Sequence, residues 1–154
     1  MYFVENQQLQ YENVLSYRTR ISEGSMPELI QFVCENISSM DLLITGDIIF
    51  TISERITDAD NSTAILGVEF IIPVDRRFKS SSKYVFKPEF RLVNAVMYKY
   101  SGDIRNLSKE RIKLYEYILR RGFKPVTEVY YCVREHDGVS GVICMYIGIS
   151  CNLL

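Results

Sequence analysis

From Tyr11 to Ile21 apolar and polar residues alternate. Leu15, Tyr17, Thr19 and Ile21 share one face, and Ser16, Arg18 and Arg20 share the other, the period-two pattern of a half-buried strand. Ser22-Glu23-Gly24 breaks the alternation, and Ser25-Met26-Pro27-Glu28 follows in capping-box form. Met26, Leu29, Ile30, Val33, Ile37 and Met40 then recur at helical spacing, which predicts a helix of about four turns with one buried stripe. Leu42 to Ser53 reads as a strand, with Gly46-Asp47 as a bulge or bend. A polar turn at Thr57 to Ser62 leads to the β-branched run from Ala64 to Val74.

The same order recurs further on. A strand is predicted from about Phe90 to Tyr100, broken by Ser101-Gly102-Asp103. Asn106 or Ser108 can cap a helix carrying Ile112, Leu114, Tyr115, Ile118 and Leu119, with Glu116 and Arg120 as an i,i+4 pair. Gly122 is its expected C-terminal stop, with Pro125 just beyond. Val126 to Arg134 and Val142 to Ser150 then read as a hairpin around the turn Glu135 to Gly141. The reading is one α+β domain over residues 1–154. Two strand-helix-strand-strand units, about 11–74 and 90–150, share a mostly antiparallel sheet with two helices on one face. The basic, Ser-rich stretch 75–83 is the expected linker. Two ordinary α+β units in succession, without a true repeat, are the alternative.

Composition narrows the function classes. The chain has 154 residues, a net charge of -1, 47% hydrophobic and 24% charged residues, so no global field draws it onto nucleic acid or an anionic membrane. No apolar run is long enough to span a bilayer, and Met1 to Asn6 lacks the form of a signal peptide, which points to the cytoplasm. Cys34, Cys132, Cys144 and Cys151 form no CxxC pair and read as free thiols. His136, the only histidine, sits in a predicted turn and reads as solvated, so neither a metal centre nor a His-based triad is expected, and no cofactor is implied. Eleven Tyr and eight Phe with no Trp make aromatic pocket walls the more useful signal.

Ala95-Val96-Met97-Tyr98-Lys99-Tyr100-Ser101-Gly102-Asp103 leads into the second helix, which ends Arg120-Arg121-Gly122-Phe123-Lys124-Pro125-Val126 before Glu128-Val129-Tyr130-Tyr131. This pattern resembles the gyrase-inhibitor-like (GyrI-like) effector-binding family, and Ile71-Ile72-Pro73-Val74 resembles that family's strand-terminal I-P-V. The resemblance implies a cleft between pseudo-symmetric halves that takes small molecules, often hydrophobic cations met by an acidic residue. It implies a bacterial setting and, for some members, transcription regulation. The chain departs from the pattern in having no Trp, no helix-turn-helix segment, and Ser101-Gly102-Asp103 in place of Gly-Pro-aromatic.

Glu128 is the first candidate ligand-binding residue, on a strand face with Tyr130, where a carboxylate and π-faces together suit a cation. Glu69 is the second, because it interrupts an apolar run where a lone carboxylate is costly. Tyr98, Tyr100, Tyr130 and Tyr146 are candidate walls, although alternation sends some of them to the core, and Met97 is a candidate gap-filler. Glu128 and Glu69 can equally belong to half-exposed strands. Arg18, Arg20, Arg76, Arg77, Lys79 and Lys83 matter only if the ligand is an anion. The leading expectation is a stand-alone domain binding an amphipathic, cationic small molecule. The alternative is a protein-interaction module docking a regulator, a topoisomerase or an operon partner. A hydrolase rests on fold analogy alone, and no catalytic residue is assigned.

Overall fold

The computed structural model describes residues 3–57 and 64–151. The predicted turn at Thr57 to Ser62 lies almost wholly outside these residues. Eight elements follow in order: β1 (Phe3–Ser22), α1 (Met26–Ser39), β2 (Ile48–Thr57), β3 (Ala64–Pro73), β4 (Val85–Asp103), α2 (Leu107–Arg120), β5 (Phe123–Asp137) and β6 (Ser140–Cys151). A short 3-10 turn precedes each helix, at Glu23–Ser25 and Ile104–Asn106. All strand pairings are antiparallel, and the strands close into a ring in the order β1-β3-β2-β5-β6-β4. The fold is α+β, with two helices against a mostly antiparallel six-stranded sheet.

The halves correspond residue by residue over most of their length. Asn13 and Asn94, 81 positions apart, both take positive φ, 58° and 50°. Asp41 and Gly122, again 81 apart, do so at 61° and 73° just past the two helices, where the chain reverses into the left-handed region. Each helix has 14 residues. Phe3 stacks on Tyr98 at 4.9 Å, and the equivalent pair Tyr84 and Tyr17 packs at 5.2 Å. Phe50 and Tyr131 are 81 apart and also register partners, stacked at 4.9 Å with an interplanar angle of 11°. Residues that are both equivalent and mutually paired sit on the pseudo-two-fold axis.

One face of the ring is covered by both helices. Ile30, Val33 and Ile37 of α1 and Leu114 and Ile118 of α2 meet Leu15, Phe50, Phe70, Val96, Tyr131 and Met145 in one core. Burying an aliphatic side chain of this size contributes about 1.5–3 kcal/mol, so the two stripes anchor the helices. The helix-free face is the inside of the ring. It is filled by Leu9, Val14, Ile49, Ile71, Leu92, Ala95, Cys132, Cys144 and Tyr146, with Tyr11, Phe90, Met97 and Tyr130 packed against them.

Several local expectations are corrected. Ser25 makes no side-chain cap bond, because the 3-10 turn leads the chain into α1 in place of a capping box. Asn106 makes none either, and the carboxylate of Asp103 accepts from the Arg105 backbone N–H. Ser108 instead accepts from Arg55 at 2.7 Å and donates to Glu23 at 3.0 Å, tying α2 to the first half. Glu116 and Arg120 form no ion pair among the described residues. The strand expected at Leu42 begins only at Ile48, and Gly46 lies where a Cβ would come within 2.6 Å of the Tyr11 ring. β1, β4 and β5 are longer than their alternation suggests, because β1 and β4 extend along each other and β5 follows β6 to the turn at Gly138. His136 therefore lies at the end of a strand, half-buried, and its Nε2 has no hydrogen-bond partner among the described residues. Cys34, Cys132 and Cys144 are free thiols.

Candidate functional site

Register places one row of side chains across the inside of the ring. Arg18 of β1 lies opposite Glu69 of β3, Glu69 opposite Thr51 of β2, and Thr51 opposite Tyr130 of β5. Tyr130 lies opposite Tyr146 of β6, and Tyr146 opposite Met97 of β4. Directly paired residues share a face, so four residues singled out from sequence, Glu69, Tyr130, Tyr146 and Met97, fall on one row. Tyr98 and Tyr100 fall on the other face. Tyr98 donates to Glu110 of α2 at 2.8 Å, and Tyr100 donates to the Asp103 carbonyl at 3.0 Å. Strand alternation sends them to the helices, where they hold the entry to α2.

Glu69 is the charged member of the row, with its side chain 17% exposed. Ser16 donates a 2.5 Å hydrogen bond to its Oε2. Arg18 Nε and Lys87 Nζ each stand 3.6 Å from the same oxygen, close enough for charge and too far for a hydrogen bond. Beside it, Thr51 is buried and donates to the Val129 carbonyl at 2.9 Å. Tyr130 is half-buried and meets Phe90 edge-on at 5.2 Å. Its phenol is pushed up from the ordinary value by burial first, then by the carboxylates of Glu69 and Glu128.

Glu128 sits apart from the row. It is exposed, in the irregular stretch of β5 between Pro125 and Val129 where pairing to β6 slips. Its carboxylate has no ion-pair or hydrogen-bond partner among the described residues. Its charge raises Tyr115 of α2 as well as Tyr130, burial being the larger cause in both. The Tyr130 phenol thus feels the charge of both Glu69 and Glu128, while Glu128 itself borders Ile52, Arg111, Tyr115, Val129 and Tyr131.

The opposite end of the face is polar too. Arg134 pairs with Asp47 at 3.1 Å and donates to the Tyr146 phenol at 3.2 Å. Tyr146 is raised by burial and then by Cys132, and Tyr11 is pushed up to about 12 by burial, then Cys132 and Asp47. Between the two ends the interior is packed. A groove of about 560 Å³ opens beside Glu69, lined by Ser16, Tyr17, Arg18, Ser82, Lys83, Val85 and Lys87. No cluster of three or more His, Cys, Asp or Glu among the described residues has the arrangement of a metal site. No described helix is long and apolar enough to cross a membrane.

Ser16, Thr51 and Phe90 were not singled out from sequence. Ser16 carried a signal, a small hydroxyl on a face otherwise charged. Thr51 and Phe90 matter through register and ring closure, which no local pattern encodes.

The sequence matches no family model and no curated protein. Among solved structures, the fold is similar to the C-terminal domain of EcmrR, with a TM-score of 0.67 at 15% identity over 97% of this chain and 99% of that one. It is also similar to EcmrR in a cryo-EM complex with DNA, with a TM-score of 0.68 at 14% identity over 96% of this chain. This chain spans 57% of that larger one. A hydrolase from Listeria innocua matches with a TM-score of 0.56 at 10% identity, over 97% of this chain and 91% of that one. At these identities the likeness is one of fold.

Proposed function

We propose that this chain is a small-molecule-binding domain of the GyrI-like, effector-binding kind, and that its ligand is an amphipathic aromatic cation held over Tyr130 between Glu69 and Glu128. The observation that carries the reading is the register row that sets the half-buried Tyr130 on one face with Glu69, Tyr146 and Met97. Glu128 is unpaired, so it costs nothing to recruit. Glu69 is oriented by Ser16, while its two cationic neighbours are exposed by 79% (Arg18) and 48% (Lys87) and make no hydrogen bond to it. Such exposed pairs contribute about 0–1 kcal/mol and exchange readily for another cation. A planar cation replaces them and adds π-face attraction to Tyr130 and Phe90. The fold shared with the EcmrR C-terminal domain agrees with an effector-binding role.

The ligand's body enters by parting Phe90 from Tyr130, with Met97 and Tyr146 behind. Titration with ethidium, against fluorescein as the charge-reversed control, tests the reading. Binding of ethidium alone, weakened about tenfold in each of Glu69→Gln and Glu128→Gln, is the expected result. Equal binding of both dyes, or affinity unchanged in both variants, refutes it.

A further inference from the structure

The outer groove beside Glu69 is built differently from a cation site. Three of its seven lining residues are Arg18, Lys83 and Lys87, and no side chain of the three donates a hydrogen bond to any acceptor among the described residues. Lys83 is nonetheless held in place. Its Nζ stands 5.5 Å from the ring centre of Tyr17, 5.4 Å from Phe32 and 5.7 Å from Tyr84. Ring faces attract the ammonium charge while leaving N–H donors free. Tyr84 is itself fixed, donating from its phenol to Asn36 of α1 at 2.6 Å.

The serine run that carries Lys83 is divided by role. Ser81 Oγ accepts from the backbone N–H of Lys83 at 3.3 Å and of Tyr84 at 3.1 Å, and the Ser81 N–H donates to the Tyr84 carbonyl at 2.8 Å. Ser80 Oγ accepts from the Phe86 N–H at 2.9 Å. Two serines thus fold the lip of the groove, and Ser82 alone lines it, with its hydroxyl unpartnered among the described residues. Val85, 48% exposed, adds an apolar floor. The local charge is three cations against the one carboxylate of Glu69.

We infer that this groove is an oxyanion site, in which Arg18, Lys83, Lys87 and the Ser82 hydroxyl bind the phosphate of a small organic phosphate ester whose apolar part lies on Val85 and Tyr17. The site stands apart from the cation site over Tyr130. Arg18 and Lys87 border both, and release of those two from Glu69 by a bound cation favours the anion next door.

The test is titration of the full chain with phenyl phosphate, followed by calorimetry and by amide shifts. Phenol and phenyltrimethylammonium serve as neutral and charge-reversed controls. Phenyl phosphate alone moves the Ser82, Lys83 and Val85 amides. Lys83→Gln and Lys87→Gln each weaken it about tenfold, the loss of one charge-assisted hydrogen bond. Ser82→Ala weakens it less, and Lys109→Gln on α2 has no effect. Glu69→Gln leaves phosphate binding intact or tightens it while weakening ethidium binding about tenfold, so failure of either site is read separately. The inference is overturned if phenyl phosphate does not bind at about 10 mM, if phenyltrimethylammonium binds as well, or if Lys83→Gln weakens binding no more than Lys109→Gln does.

Discussion

Phe90 and Tyr130 touch edge-to-face at 5.2 Å although their strands, β4 and β5, are separated by β6. The contact spans the inside of the ring. Aromatic pairs in this geometry contribute about 0.5–1.5 kcal/mol beyond area burial. A double-mutant cycle of Phe90→Ala and Tyr130→Ala is expected to give a coupling energy of about 1 kcal/mol in urea denaturation. Phe90→Ala alone is expected to speed ethidium association, since the ligand no longer parts the rings.

Asn13 and Asn94 hold positive φ at equivalent points of β1 and β4. Asn tolerates this region and most residues with a Cβ do not. Asn13→Ala and Asn94→Ala should each cost about 1 kcal/mol, and the Gly variants less. Asn94 has more to lose, because its Nδ2 donates to the Ile149 carbonyl at 2.9 Å. Chemical denaturation of the four variants ranks these costs.

Arg111 Nε of α2 and the nearby Tyr131 phenol are buried without a hydrogen-bond partner among the described residues. Tyr131, 1% exposed on the pseudo-two-fold axis, has a phenol that meets no acceptor among the described residues. Removing an unsatisfied buried hydroxyl without changing shape is neutral or stabilising. Tyr131→Phe should leave the melting temperature unchanged or raise it, and Tyr131→Leu should lower it through the lost stack on Phe50.

Glu5 and Glu110, like Asp103, are held below the ordinary carboxylate value and contribute to the response to acid. Glu5 is held below the ordinary value by its bonds from Arg121 and then Tyr117. Burial pushes Glu110 up, but the bonds from Lys113 and Tyr98 outweigh it and the net shift is downward. Depressed folded-state values mean that this stabilisation is complete above the unfolded value of 4.5 and is lost as pH falls through the lower folded values. Denaturation midpoints should therefore drop between about pH 5 and pH 3. Glu5→Gln should flatten that slope while lowering stability at neutral pH.

The elements were legible where a single periodicity ran unbroken. The stripe of α1 and the β-branched run of β3 are of this kind, and both formed close to their expected bounds. Strand lengths were not legible. The polar first third of β1 carries no burial signal, and it extends because β4 lies beside it. Of the candidate site, Glu69 was readable as a carboxylate in an apolar run. Tyr98 could not be told from Tyr130 by type, since strand parity beyond a bulge decides which face each takes. The helix caps misled because a 3-10 turn intervenes: Asp103 caps the second entry in place of Asn106, and at the first neither Ser22 nor Ser25 makes a side-chain cap bond.

The closed ring makes each half incomplete in a specific way. Cut between β3 and β4, either unit is a three-stranded sheet with two bare edges, β1 and β2 in one, β4 and β5 in the other. Bare edges seek partners. The edge pairings β1 to β4 and β2 to β5 join equivalent strands, with Phe50 and Tyr131 at the axis, so they are self-complementary in form. A gene for one half would encode a homodimer with the same ring, and fusion of two copies lets the rows of side chains diverge. Glu69 faces Thr51 in the first half, while the equivalent register in the second pairs Cys144 with Cys132. A carboxylate facing a threonine in one half and two thiols in the other is a difference that only a fused, heterogeneous pair can carry.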